Sequence, residues 1–161
     1  MTSVLKVTEI QDPTNSNSAL TIDSSGRVLQ PALPRFSARD GATQTATGPA
    51  VMQFTATDVN VGNCFSTSTY RFTAPIAGDY YLFYTAMSNG ANYLRTQFRK
   101  NGNTFIGTEM FNENETYART SHAMIATLAA SDYVEVIYDT QGNDQGPVHG
   151  SYRSFCGYLV G

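Results

Sequence analysis

Two polar stretches hold most of the side chains that could do chemistry: Asn112-Glu113-Asn114-Glu115-Thr116-Tyr117, and Gln141-Gly142-Asn143-Asp144 continuing to His149. Their amides and carboxylates offer oxygens to a hard cation such as calcium, or hydrogen bonds to sugar hydroxyls, and the Tyr117 ring adds an apolar platform. Asn112, Glu113, Asn114, Glu115, Tyr117, Asn143, Asp144 and His149 are therefore the candidate ligand contacts. The plainer reading of both stretches is a solvated loop. Acyl-transfer chemistry would need a Ser or Cys beside a His that is itself oriented by a carboxylate. Ser121 and His122 are adjacent, and adjacent side chains on a strand point to opposite faces. No nucleophile elbow and no paired-carboxylate glycosidase pattern occurs, so no catalytic residue is assigned and no enzyme is expected.

Metal chemistry is equally poorly served. The two cysteines, Cys64 and Cys156, and the two histidines, His122 and His149, lack paired ligand spacing of the zinc type. No metal site is assigned, and calcium at the loops is the one cofactor considered. Each cysteine is embedded in aromatic strand sequence and reads as a buried free thiol. A disulfide between them would require suitable geometry and an oxidising compartment.

Composition narrows the partners. Only 14% of the 161 residues are charged, against about 25% in ordinary soluble domains, so surface polarity must come mainly from hydroxyls and amides. A formal net charge of −3 and two lysines, Lys6 and Lys100, argue against a phosphate-tracking surface, and nucleic acid is excluded as a partner. No stretch approaches the roughly 18 apolar residues of a membrane helix, so no membrane insertion is expected. Residues Met1 to Ile10 lack the apolar core of a secretory signal, which places a chain with a native first methionine in the cytosol where it is made. A mature fragment restarted with a cloned methionine is the other possibility.

The elements that must carry these loops are strands. Residues 1–34 contain two short alternating runs, VLKVTEI and ALTIDSSGRVL, separated by turn formers and closed by Pro31-Ala32-Leu33-Pro34. Leu20 and Ile22 face together, Asp23-Ser24-Ser25-Gly26 reads as a turn, and Val28 can return against them. About thirty residues cannot bury a self-sufficient core, so this extended β-rich segment is expected to attach to something. From residue 35 to 161 strand follows strand. Lys100-Asn101-Gly102-Asn103 reads as a hairpin turn, residues 51–56 as a strand ending before Asp58-Val59-Asn60, and residues 115–130 as strand against a competing helical stripe. Glu135 marks the outward face of a strand over 133–138. Roughly eight or more strands at short spacing without a convincing helix indicate a β-sandwich or barrel.

One run is unusual. After the Pro75-to-Asp79 link, Tyr80, Leu82 and Tyr84 point one way and Tyr81 and Phe83 the other, and neither set carries a charge. The closing strand repeats this, with Phe155, Gly157 and Leu159 alternating with Cys156, Tyr158 and Val160. One face of each strand can fill the core of the domain; the other needs a neighbour.

Several ordered elements in residues 35–161 resemble the globular head of complement component one-q and its relatives, the jelly-roll branch shared with tumour necrosis factor. They are Arg35-Phe36-Ser37-Ala38-Arg39; Asn60-Val61-Gly62 followed by Phe65; Tyr70-Arg71-Phe72-Thr73-Ala74-Pro75; Gly78-Asp79-Tyr80-Tyr81-Leu82-Phe83; Leu128 with Asp132-Tyr133-Val134-Glu135-Val136; and Ser154-Phe155-Cys156-Gly157-Tyr158-Leu159. Two departures stand out: Ser131 replaces the usual Gly before Asp132, and Cys156 replaces the usual Ser. The resemblance implies an all-β antiparallel jelly-roll sandwich of about ten strands assembled as a homotrimer, with aromatic residues along the threefold contact. The residues expected at that contact or in the core beside it are Phe72, Tyr80, Tyr81, Phe83, Phe155, Tyr158 and Leu159.

A trimeric head behind a short extended segment and without a signal peptide also resembles the distal modules of bacteriophage fibres, where heads of this family occur. The expected function is therefore that of a non-enzymatic virion structural protein, a fibre or spike head. Residues 1–34 would attach it to other virion proteins, and its loops would meet a host surface glycan or protein. The expected location is the virion, after synthesis in the host cytoplasm. The alternatives are a capsid or baseplate decoration protein without a receptor role, and a secreted complement-like recognition or signalling head.

Overall fold

The computed structural model describes residues 5–14, 16–45, 49–88, 93–105, 107–113, 117–139 and 148–161. Its contacts divide the chain into two compact units, Met1–Leu33 and Pro34–Gly161.

The first unit is a three-stranded antiparallel sheet of β1 (Glu9–Gln11), β2 (Ser18–Ile22) and β3 (Val28–Leu29), with β2 in the middle. The turn between β2 and β3 is held by Asp23, whose carboxylate accepts the backbone N–H groups of Ser25 and Arg27 at 2.9 and 3.0 Å and the Arg27 side chain at 2.6 Å. These bonds, led by that of the Arg27 backbone, hold the Asp23 carboxyl below its usual range. Leu20 lies opposite Ile10 and Ile22 opposite Val28, so one face of the sheet is apolar. None of the unit's described residues is buried; Ile10 is 48% and Val28 62% exposed.

The second unit contains β4 (Arg35–Arg39), β5 (Ala50–Val51), β6 (Ala56–Val61), β7 (Phe65–Ser66), β8 (Arg71–Thr73), β9 (Gly78–Met87), β10 (Tyr93–Lys100), β11 (Asn103–Thr104), β12 (Met110–Glu113), β13 (Arg119–Leu128), β14 (Tyr133–Asp139) and β15 (Ser154–Leu159). A single 3-10 turn, Gly150–Tyr152, precedes β15. The strands form two antiparallel sheets. One runs β11-β10-β14-β8-β7, with β12 also on β10 and β5 on β14; the other runs β13-β9-β15-β4-β6. This is the all-β jelly-roll sandwich expected. The aromatic strands β8 and β9 lie in different sheets, so the Pro75 link carries the chain across the sandwich and does not close a hairpin.

The two sheets meet through alternate residues. Tyr80, Leu82 and Tyr84 of β9 are fully buried, as are Val134, Val136 and Tyr138 of β14 and Leu94 and Phe98 of β10. Phe36 stacks on Phe65 and Phe72 at 5.1 and 5.0 Å and meets the edge of Phe155 at 4.8 Å. The hydroxyl of Tyr84 is buried 2.9 Å from Thr96 Oγ1, which donates to Thr120 Oγ1 at 2.8 Å; burial pushes the Tyr84 phenol up to about 12. Gly157 permits the closest approach. A Cβ there would lie 2.7 Å from Leu82 Cδ2 and from the Tyr81 carbonyl oxygen.

Two local readings of the sequence are corrected. Residues 52–55 are not strand, because the chain there leaves β14 and crosses to β6, which begins at Ala56 and includes Asp58-Val59-Asn60. Glu135 alternates with the core residues Val134 and Val136, yet it is 1% exposed. Arg71 Nε binds its carboxylate at 2.7 Å and Arg99 Nε lies at 3.8 Å, so two cations from the neighbouring strands replace water around it. Ser131 adopts φ of 72°, the left-handed conformation that glycine takes most easily, so the serine keeps the backbone angle at that turn. Asp132 fixes the turn by accepting from Ala129 N at 2.8 Å and pairing with Lys100 at 2.8 Å. With Lys100 and Asn101 the leading causes, its carboxyl is held down to about 2.

Candidate interaction face

The outer face of the five-stranded sheet is built by register. Ile125 of β13 lies opposite Tyr81 of β9, which lies opposite Tyr158 of β15 and then Arg35 of β4. The next row is Ala123, Phe83, Cys156, Ser37 and Val59, and the one after it Ser121, Thr85, Ser154 and Arg39. Two consecutive rows at the middle of the sheet are thus mostly apolar. Ile125 is 64% exposed and Tyr158 47%, while Tyr81, Phe83 and Cys156 are half-buried. The rings of Tyr81 and Tyr158 pack across the two strands with centroids 5.3 Å apart. Burial between these side chains pushes the Cys156 thiol up from its ordinary value. The rim is polar: Arg39 Nε binds Asp58 at 2.9 Å beside one edge, and Thr127 Oγ1 donates to Asp79 beside the other. An apolar centre with a polar rim is the usual anatomy of a protein contact surface.

Of the residues expected at a subunit contact or in the core, Tyr81, Phe83 and Tyr158 share this outer face. Phe72, Tyr80 and Phe155 are fully buried between the sheets, and Leu159 packs partly buried against the same core. Ile125, Ala123 and Val59 complete the face and were missed. Each lies on a strand whose own sequence alternates ordinarily, and only the pairing with β9 and β4 puts it beside Tyr81 and Cys156.

The expected ligand loops are described only in part. Asn112 lies on β12 and donates to the Arg119 carbonyl at 3.2 Å; Tyr117 is 54% exposed. His149 caps the 3-10 turn, its Nδ1 accepting from Ser151 N at 3.3 Å and its ring meeting the Tyr152 ring at 4.7 Å. Glu113 ends β12, and its side chain, together with Asn114, Glu115, Asn143 and Asp144, lies outside the described residues. Both cysteines are free thiols, Cys64 buried and Cys156 half-buried.

A model of the C1q domain matches residues 35–160. The chain belongs to the C1q family. Among curated proteins, this chain is 27% identical over 111 residues to complement C1q tumor necrosis factor-related protein 3 of Mus musculus, and equally to that of Homo sapiens. The match takes in 66% of this chain but 43% of those proteins, so the chain spans less than half the length of the relatives it matches. Among solved structures, the globular domain of a zebrafish complement 1qA protein superposes with a TM-score of 0.62 at 23% identity, covering 80% of this chain and 98% of that one. Murine APRIL superposes with a TM-score of 0.63 at 10% identity, covering 80% and 99%. Both share the jelly-roll fold. The expected location in a virion is overturned, because these curated relatives are animal complement-related proteins and not virion components. The absence of a secretory signal in the first ten residues was too weak a basis for that expectation.

Proposed function

We propose that this C1q domain is a non-enzymatic recognition head of the complement type, acting outside the cell as a homotrimer. The observation that carries the reading is the uncovered apolar face centred on Tyr81, Phe83, Tyr158 and Ile125. A monomer would leave these side chains in water, whereas a closed ring of copies buries them with no new sequence. The jelly-roll structures similar in fold support the same direction, as does a surface poor in charge. The residues that contact a ligand would then come from the sheet ends and loops, repeated three times, so that weak single contacts gain from avidity. Residues 1–33 serve in this reading as an accessory segment that the trimer holds in three copies.

Sedimentation equilibrium of the full chain tests the assembly. At micromolar concentration the expected mass is three times the 17.5 kDa of one chain. A single species of 17.5 kDa at that concentration contradicts the proposal.

A further inference from the structure

A cleft of about 230 Å³ opens at the end of the five-stranded sheet, between the last residues of β9, the first of β13 and the 3-10 turn before β15. The register places it far from the entry of the chain into the head: Arg35, next to Pro34, pairs with Tyr158 at one end of β15, whereas Ser154, at the other end, pairs with Arg39 and Thr85 beside the cleft. Its volume lies below the roughly 300–1,000 Å³ of pockets that take drug-sized ligands, and suits one ring-sized molecule.

The chemistry of the lining is one-sided. Thr85, Met87, Arg119, Ser151, Tyr152 and Ser154 contribute, and none of the described residues that line it is acidic. Arg119 Nε donates to the Met87 sulfur at 3.2 Å, a weak acceptor, and no carboxylate pairs with its guanidinium among the described residues. Ser151 is exposed and Thr85 and Ser154 are half-buried, so their hydroxyls line the cleft within reach of solvent. Tyr152 is 55% exposed and its ring meets the His149 ring edge-on, so an apolar plate lines the same cleft as the cation. Arg153 also borders the cleft. Its side chain is fully buried, and its Nε is without a partner although the rest of the guanidinium is engaged by Asp40, Ala42 and Val148.

A forked cation with no carboxylate partner among the described residues, three water-facing hydroxyls and an aromatic plate match a carboxylate carried on a hydroxylated ring. The guanidinium takes the carboxylate through two parallel hydrogen bonds, the hydroxyls meet ring hydroxyls, and the Tyr152 ring covers the apolar face of the sugar. We propose that this cleft binds the carboxylate of an acidic monosaccharide. The proposal rests on the reading of the domain as a recognition head, but the cleft belongs to one protomer. A trimer that ignores the sugar overturns this site alone, and a monomer that binds it overturns the trimer alone.

The test is a titration of the full chain with D-glucuronate, followed by amide NMR, with D-glucose and acetate as comparisons. Saturable shifts are expected at Arg119 and at Ser151 to Ser154, with affinity for glucuronate above that for acetate and no saturation by glucose. Arg119→Gln should weaken glucuronate at least about tenfold, and Tyr152→Ala should weaken glucuronate but not acetate. Both side chains are exposed, and unchanged amide spectra away from the cleft verify that each variant is folded. The proposal is overturned if glucuronate gives no saturable shift, if Arg119→Gln binds it as the unmodified chain does, or if acetate or glucose binds as tightly as glucuronate.

Discussion

Replacing Tyr81 with glutamate is expected to leave a folded monomer. In the protomer this side chain is only half-buried, on the sheet face opposite the core residues Tyr80 and Leu82, so a carboxylate there can keep its water. In a trimer it would be pressed among Ile125, Tyr158 and Phe83 with no cation in either apolar row except Arg35 at the far end. Taking an ion out of water without a partner costs several kcal/mol, and the cost recurs in every copy. Since each 1.4 kcal/mol is a factor of about ten in an equilibrium constant, assembly at micromolar concentration should be lost outright. Tyr158→Glu, at a position 47% exposed in the protomer, should behave in the same way. Thr67→Glu adds the same charge on an exposed loop beside the other sheet and should leave the mass unchanged. Sedimentation with near-ultraviolet circular dichroism checks all three. A Tyr81→Glu protein that remains a trimer would show that a different face makes the contact.

The largest loss of stability is expected at the Asp40–Arg153 pair. The two side chains are 3% and 0% exposed, and they join the turn after β4 to the start of β15. Asp40 also accepts from Ala42 N at 3.0 Å and from Thr55 Oγ1 at 2.9 Å, while Arg153 donates to the carbonyls of Ala42 and Val148. Arg153→Met leaves a buried carboxylate without its cation and should cost about 3–5 kcal/mol in chemical denaturation. The double variant Asp40→Asn with Arg153→Met should recover part of this, since neither charge then remains alone. The pair also sets an acid response. Burial alone would raise the Asp40 carboxyl, but the Ala42 N–H, Arg153 and Thr55 outweigh it and hold it below its ordinary value. A carboxyl lowered in the folded state stabilises above its unfolded value of about 3.9 and loses that contribution as the pH falls through its folded one. Stability measured from pH 6 downward should therefore fall more steeply in the unmodified chain than in the double variant. Equal slopes would show that Asp40 contributes nothing to the acid response.

How much of this was legible in the sequence follows from what side-chain alternation can and cannot encode. The two-faced character of β9 and β15 was plain, because Tyr81, Phe83, Cys156 and Tyr158 occupy positions where a solvated strand would carry charge. The Lys100–Asn103 turn was equally plain, since Asn101 and Gly102 supply the two positive φ values it needs. Pairing was not legible. Ile125 and Val59 became members of the face only through the register of β13 with β9 and of β4 with β6, which depends on non-local contacts. Glu135 misled for a related reason: its direction was right, but the arginines that cover it come from β8 and β10. The cleft at Arg119 joins residues from positions 85–87, 119 and 151–154, and no local spacing announces such a set. Family motifs carried the fold further than periodicity did, and they say nothing of that cleft.

If sister chains cover the Tyr81 and Cys156 rows, the Cys156 thiol reports on it from within the face. Cys64 is buried in the protomer core, so maleimide labelling followed by mass spectrometry of peptides distinguishes the two cysteines. Cys156 in the native protein is expected to stay unlabelled over a period in which the Tyr81→Glu variant is modified. Labelling of Cys156 at the same rate in both would contradict it, because the face would then be open to solvent in the assembled protein.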